Sequence, residues 1–285
     1  MRRLTARSTP GIESFGLRLL QGALLIGHPS LSASAPPALY SGGVDTVASA
    51  SHRESVLWDL ESLAAARRFG DWQFEQLGAV GARTVAEVGA GIGAFSERLL
   101  AAGARRLLLV EPEPLCAEVL ERRFAEDPRV TLAREELPQA PSLRGDAGFD
   151  LIVCQNVLEH VADHAAAVAA MAGALLPGGR LAVLVPAHPR LYGALDRRYG
   201  HARRYTRELL RTVLEGARLE VSELRSFNLL GVPGWWIKSR SPTPRLSPRS
   251  LAAYEALLPL WRPLEERLRP PWGLSLVALS ARPTA

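Results

Sequence analysis

Glu87-Val88-Gly89-Ala90-Gly91-Ile92-Gly93 ends a short apolar run, Thr84 to Val88, and opens a segment with Phe95, Leu99 and Leu100 at helical spacing. Glycines at such a junction let the chain turn tightly and leave no Cβ between backbone and ligand. The helix start that follows presents N–H groups with no intrahelical partner. A strand, a glycine turn and a helix together predict a ligand at the turn. Two other readings stay open on these residues alone: a structural loop that binds nothing and, through the G-x-G-x-x-A spacing that ends at Ala94, a dinucleotide site.

Outward from the turn, apolar runs at Arg106 to Val110, Val130 to Ala133, Phe149 to Cys154 and Arg180 to Val185 alternate with helix candidates at Ala94 to Ala102, Pro114 to Ala125 and His164 to Leu176. Continuous apolar strands separated by helices belong to a parallel sheet covered on both faces. The fold class is therefore α/β, a doubly wound Rossmann-like sheet. Upstream, Val56, Leu57, Leu60, Leu63 and Ala64 recur by three and four and continue towards Trp72, Phe74 and Leu77, which predicts a leading amphipathic helix or helix pair. Downstream, strand candidates at Arg218 to Phe227 and Leu274 to Arg282 flank an irregular, Pro-rich stretch, 231–273. Within it Leu251, Tyr254, Leu258, Trp261 and Leu268 keep a helical period, and Pro259 and Pro263 are expected to kink or divide that helix.

The chain has 285 residues, 47% hydrophobic and 22% charged, which excludes wholesale disorder and fibrous architectures. Its two cysteines, Cys116 and Cys154, lie in apolar stretches and cannot form a disulfide framework, so a reducing compartment is expected. No apolar run is long enough to cross a membrane as a helix. Residues 1–52 read as a flexible extension: a basic start, an apolar run from Leu19 to Gly27 and Ala33-Ser34-Ala35 outline a secretory signal, but the chemistry argued below calls for a cytoplasmic cofactor.

Carboxylates stand at the ends of the first two apolar runs. Glu87 lies two residues before the first glycine, where it suits a cationic ammonium better than a pyrophosphate, and Glu111 lies 22 residues after Gly89, placed to accept from two ribose hydroxyls. The run Phe149 to His160 then carries polar groups at its C-terminal tip, beside the point where an open α/β sheet binds its ligand. In order along the chain, EVGAGIG, LLLVEPEP, FDLIVCQNVLEH and LLPGGRLAVLVP resemble the class I S-adenosylmethionine-dependent methyltransferases, from about residue 53 to 283. The resemblance implies a seven-stranded sheet with an antiparallel last hairpin, helical N-terminal and lid insertions (53–285 as the domain, 231–273 as the lid), and S-adenosylmethionine as cofactor. It places Gly89, Gly91 and Gly93 under the methionine portion, Glu87 near its amino group, Glu111 at the ribose, Glu135 or preferably Glu136 near the adenine amine, and Gln155 and Asn156 on the other side.

The tail, from VPAHPRLYGALDRRYGHARRYT through FNLLGVPGWW to PPWGLSL, resembles a bacterial subgroup associated with glycolipid, polysaccharide or secondary-metabolite pathways, whose acceptors are mostly unassigned. His160 is the candidate general base, with a backbone-bonded helix-start imidazole as the bland alternative. Asn156-x-x-Glu159-His160 is similar to the Glu-x-x-Glu-His metal site of ubiquinone-pathway O-methyltransferases, but asparagine replaces the first carboxylate, so no metal is expected.

Lys+Arg 34 against Asp+Glu 29 gives +5, and seven arginines between His188 and Arg211 face only Asp196 and Glu208. Tyr192, His201, Arg203, Arg204 and Tyr205 in that segment are the acceptor-site candidates, for an anionic small molecule and O-methylation; a solvated helix face is the alternative. One short basic patch does not make a nucleic-acid groove, and no nucleic-acid partner is expected. The rival classes are a dinucleotide-dependent oxidoreductase and a catalytically silent binding module. Gly234-Trp235-Trp236-Ile237-Lys238-Ser239-Arg240 reads as part of a lid, or as a peripheral membrane contact.

Overall fold

The computed structural model describes residues 48–144, 148–241 and 247–284, with side chains of the first helix from residue 57 onward. The extension expected over 1–52 thus lies almost wholly outside the described residues. The strands are β1 (Thr84–Val88), β2 (Arg106–Val110), β3 (Val130–Ala133), β4 (Phe149–Gln155), β5 (Leu175–Pro186), β6 (Glu220–Phe227) and β7 (Ser275–Ala281). They form one seven-stranded sheet in the order β3-β2-β1-β4-β5-β7-β6. β7 runs antiparallel to both β5 and β6, and the other pairings are parallel.

Successive residues of a strand point to opposite faces, and both faces are apolar here, which is why the central strands read as unbroken apolar runs. Ala86, Val88, Ile152, Cys154 and Val183 pack into one core with Met171 of α5 (His164–Ala174) and Leu210 of α7 (Arg207–Gly216). Val85, Leu107, Leu109, Leu151 and Val153 pack into the other with Trp72 of α2 (Arg67–Gln76), Leu99 of α3 (Ala94–Ala101) and Leu120 of α4 (Pro114–Phe124). The leading helical period resolves into a pair, α1 (Ala48–Ala65) and α2. α5 and α7 start on side-chain caps, Asp163 Oδ1 accepting from Ala166 N at 2.9 Å and Thr206 Oγ1 from Leu209 N at 3.1 Å.

Two local departures from expectation have physical causes. β5 begins at Leu175, five residues before Arg180, and runs through Gly178-Gly179 opposite a register shift in β4. A Cβ at Gly179 would lie 2.7 Å from the Phe149 carbonyl oxygen, so only glycine continues the strand there. The 231–273 stretch is mostly helical: α8 (Gly231–Lys238) and α9 (Pro248–Leu268), with a short α6 (Ala194–Arg198) preceding them in the chain. α9 continues through Pro259 and Pro263. Pro259 cannot donate to the Glu255 carbonyl four residues back, and Arg68 Nη1 of α2 donates to that oxygen instead, at 3.4 Å. No described helix is long and apolar enough to cross a membrane.

Candidate active site

Strand order reverses between β1 and β4, and the crevice beyond their C-terminal ends is where this architecture binds ligands. The glycine turn sits there. Gly89, Gly91 and Gly93 all have positive φ, 73°, 55° and 82°. A Cβ at Gly89 would come within 2.2 Å of Val157 Cγ2, and one at Gly93 within 2.9 Å of Leu120 and Phe124. A Cβ at Gly91 would make only ordinary contact with Leu60, at 3.8 Å, so the positive φ is what demands glycine at that position.

The turn forms the floor of a cavity of about 710 Å³, within the size range of small-molecule sites. Glu87, Glu111, Glu135, Glu136, Gln155 and Asn156 line it, as the sequence placed them. Glu87 is buried and accepts from Ser96 Oγ at 2.6 Å. Burial pushes its carboxyl up to about 8, the Ser96 bond opposing and Glu111 adding to the shift. Glu111 accepts from Gly91 N at 2.7 Å and Glu113 N at 2.9 Å, tying the β2 end to the glycine turn. Burial raises it to about 7 against those two bonds. Glu135 accepts from Ser142 N and Oγ and so holds the 3-10 turn Pro141–Leu143, whereas Glu136 stands at the exposed rim. Gln155 Oε1 is buried without a hydrogen-bond partner among the described residues, a lone acceptor facing ligand space.

Part of the cavity wall is polar, with His201 and Arg204 on it. His201 Nδ1–H donates to Asp196 Oδ1 at 2.9 Å, and Arg204 Nε donates to the same oxygen at 2.7 Å. Burial would raise the Asp196 carboxyl, but the His201 bond and the Arg204 charge outweigh it and hold it below the usual carboxylate range. Arg204 also donates to the Ala187 carbonyl at 2.8 Å and stacks under Trp235 of α8, 4.8 Å from its ring centre, while its Nη2 has no hydrogen-bond partner. The His201 ring lies parallel to Trp235, at 5°. Asp59 of α1 is 2% exposed, lines the cavity, and faces Arg198 at 3.8 Å.

Residues 86–181 match the family described as a methyltransferase domain. The matched stretch runs from β1 into β5 and includes the glycine turn. An uncharacterised methyltransferase of Mycobacterium tuberculosis is 34% identical over 123 residues, 41% of this chain and 57% of the relative. A ubiquinone biosynthesis O-methyltransferase of Xylella fastidiosa is 37% identical over 118 residues, 40% of this chain and 45% of the relative. The alignments thus span about half the length of these curated relatives. A solved S-adenosylmethionine-dependent methyltransferase of Mesorhizobium loti has the same fold, with TM-score 0.50 and 20% identity over 72% of this chain and 92% of that one. The glycine turn with its two carboxylates is a chemically fitting cradle for S-adenosylmethionine, the cofactor named for the Mesorhizobium loti protein.

Several predicted acceptor residues serve the architecture of the fold instead. Arg203 donates to the carbonyls of Leu158, Val161 and Ala162 and so staples the loop after β4. Tyr205 is fully buried, its hydroxyl shared between His164 Nδ1 at 2.7 Å and the Leu158 carbonyl at 3.1 Å. Tyr192 donates to the His201 carbonyl at 2.7 Å. These three do not line the cavity; His201 and Arg204 do. His160 lines it too, but burial, with the neighbouring His201 charge, pushes its imidazole down to about 3 against a backbone bond at Gly200. A neutral ring held that firmly is a poor proton acceptor at pH 7.

Asp59 and Asp196 are site residues that sequence reasoning passed over, the first hidden in a helical period and the second counted only as a counter-charge. Glu159, His160 and His201 bring one donor atom each to within 4.8 Å of one another, so His201 adds a third member that the Asn156-x-x-Glu159-His160 spacing does not show. Glu159 is fully buried, and burial raises it to about 7 against the charges of His201 and Arg204.

Proposed function

We propose that the chain transfers the methyl group of S-adenosylmethionine to a hydroxyl of a small, largely apolar acceptor, with His201 as the general base. The observation that carries this reading is the His201 ring on the cavity wall, with its Nδ1 held by the buried Asp196 behind it. Asp196 occupies Nδ1 and so leaves Nε2 as the nitrogen able to take a proton. We take the Asp196–His201 pair in place of His160 because burial disfavours the imidazolium that His160 would become on accepting a proton.

Bound S-adenosylmethionine would supply an already activated methyl group. The protein's part is alignment and exclusion of water, with a base needed because a hydroxyl is a weak nucleophile until its proton leaves. Glu87 would face the ammonium, Glu111 the ribose hydroxyls through its remaining lone pairs, and Gln155 Oε1 and Asn156 the wall between cofactor and acceptor. Glu136 would meet the adenine at the rim. Trp235 of α8 and Tyr254 of α9 line the cavity, which supports the lid role expected of these helices.

An anionic or phenolic oxygen on the acceptor has one donor waiting for it, Arg204 Nη2. The wider arginine cluster does not support a phosphate pocket: Asp196 already pairs with Arg204, and Arg203 is spent on three carbonyls. An acceptor screen with labelled methyl donor tests the reading, with mass spectrometry locating the label. A methyl ether is expected. Label on nitrogen or carbon overturns the hydroxyl assignment.

A further inference from the structure

We propose that the outward face of α9 docks on an anionic lipid surface. Leu257, Leu260, Leu264 and Leu268 are 51%, 79%, 44% and 67% exposed. At 3.6 residues per turn they fall within about 80° of arc, a continuous apolar stripe on a helix that presents one. Trp272, 53% exposed just beyond the helix, extends it. Isolated exposed leucines are ordinary, but a four-residue stripe on one helix face marks an interaction surface.

The charges on α9 identify the partner. None of its three acids lies beside the stripe: Glu255 accepts from Arg68 N and Phe69 N, Glu265 from Asn228 N and Leu229 N, and Glu266, exposed on the opposite side of the helix, accepts from Trp72 Nε1 and pairs with Arg262. The exposed charges beside the stripe are Arg249, Arg267 and Arg269, with no acid among them. α8 repeats the pattern, with Trp236 and Ile237 48% and 61% exposed and Arg240 stacked over Trp236 at 4.2 Å. Apolar side chains flanked only by cations suit the boundary of a bilayer that carries negative headgroups. A second copy of the same face would set arginines against arginines. Residues 1–47 are also net positive, with four arginines against Glu13 and Asp45, and so do not complement it either.

The test is co-sedimentation of the full chain with vesicles of phosphatidylcholine alone and of phosphatidylcholine with phosphatidylglycerol, at low and high salt, beside the double variant Leu260→Asp with Leu268→Asp. The native chain should bind the anionic vesicles at least 10-fold better than the neutral ones, with binding weakened by salt. The variant should lose at least 10-fold of that binding while keeping its melting temperature and its affinity for S-adenosylhomocysteine, since both leucines are exposed. No vesicle binding, or binding unchanged in the variant, overturns the proposal. So does a native dimer in sedimentation velocity that the variant abolishes, which assigns the face to a second copy, or 1:1 binding of an acidic amphipathic peptide in preference to vesicles. No methyl donor is present, so the outcome is independent of the methyl-transfer reading.

Discussion

His201 Nδ1 lies 2.9 Å from Asp196 Oδ1, and the same carboxylate oxygen takes the Arg204 Nε–H at 2.7 Å. One buried acid thus orients an imidazole and neutralises a guanidinium. An asparagine at position 196 keeps the shape but permits the wrong imidazole tautomer. Asp196→Asn should therefore lower kcat by about 10²-fold or more with KM little changed, and His201→Gln should do the same. His160→Gln should stay within a few-fold of native turnover. Steady-state kinetics on the three variants checks this; a collapse in His160→Gln with activity kept in His201→Gln would exchange their roles.

Asp196→Ala is a different experiment. It leaves Arg204 buried and unpaired, and breaking such a pair costs about 3–5 kcal/mol. Chemical denaturation should show a loss of unfolding free energy of that size, whereas Asp196→Asn should lose less.

Glu87 couples ligand binding to pH. Its carboxyl stands near 8 in the free protein, and an ammonium ligand favours the ionised form. Below that pH, binding must expel a proton, so affinity for S-adenosylhomocysteine should rise with pH and level off above about 8. Glu111, near 7, adds in the same direction if its carboxylate meets the ribose. Titration calorimetry in buffers of different ionisation enthalpy should detect the released proton at pH 6.5.

The same shift predicts a stability trade. A carboxyl raised from 4.5 to about 8 binds a proton in the folded state that the unfolded chain has already released. Its contribution therefore favours folding at low pH and is lost as pH rises through that window. Glu87→Gln removes the titration. The ligand-free variant should melt higher than the native chain at pH 8, match it near pH 4.5, and bind S-adenosylhomocysteine far more weakly. A Glu87→Gln variant that keeps native affinity would remove Glu87 from the ligand contact.

Arg203→Ala should lower stability by about 1–3 kcal/mol, because three backbone carbonyls lose their donor, and leave the acceptor KM unchanged. A raised KM with intact stability would return Arg203 to the acceptor pocket.

Turnover should survive chelation. The Glu159, His160 and His201 donors lie beside the Arg204 cation, Glu159 holds its proton up to about 7, and Asn156 stands where a further carboxylate would be needed. Dialysis against EDTA should leave the rate unchanged; loss of rate restored by Mg²⁺ would contradict this.

The strands and the glycine turn were legible because periodicity and glycine placement are local properties. Glu87 and Glu111 were legible for the same reason, since each ends a strand. The acceptor end was not. Arg203 looks like an anion ligand in sequence, but the carbonyls that consume it come from residues 41 to 45 positions earlier, across the β4 exit. Asp196 looks like a surface counter-charge until the chain folds His201 and Arg204 onto it. Pro259 looks like a helix breaker because nothing in sequence announces that Arg68 will serve the orphaned Glu255 carbonyl.

The most direct measurement is calorimetric titration of the full chain with S-adenosylhomocysteine and, separately, with NAD. One saturable site for S-adenosylhomocysteine is predicted, absent in Gly91→Arg, whose side chain would occupy the turn, together with no heat from NAD. Saturable NAD binding at the same turn, or S-adenosylhomocysteine binding that Gly91→Arg leaves intact, would contradict the assignment of the cavity.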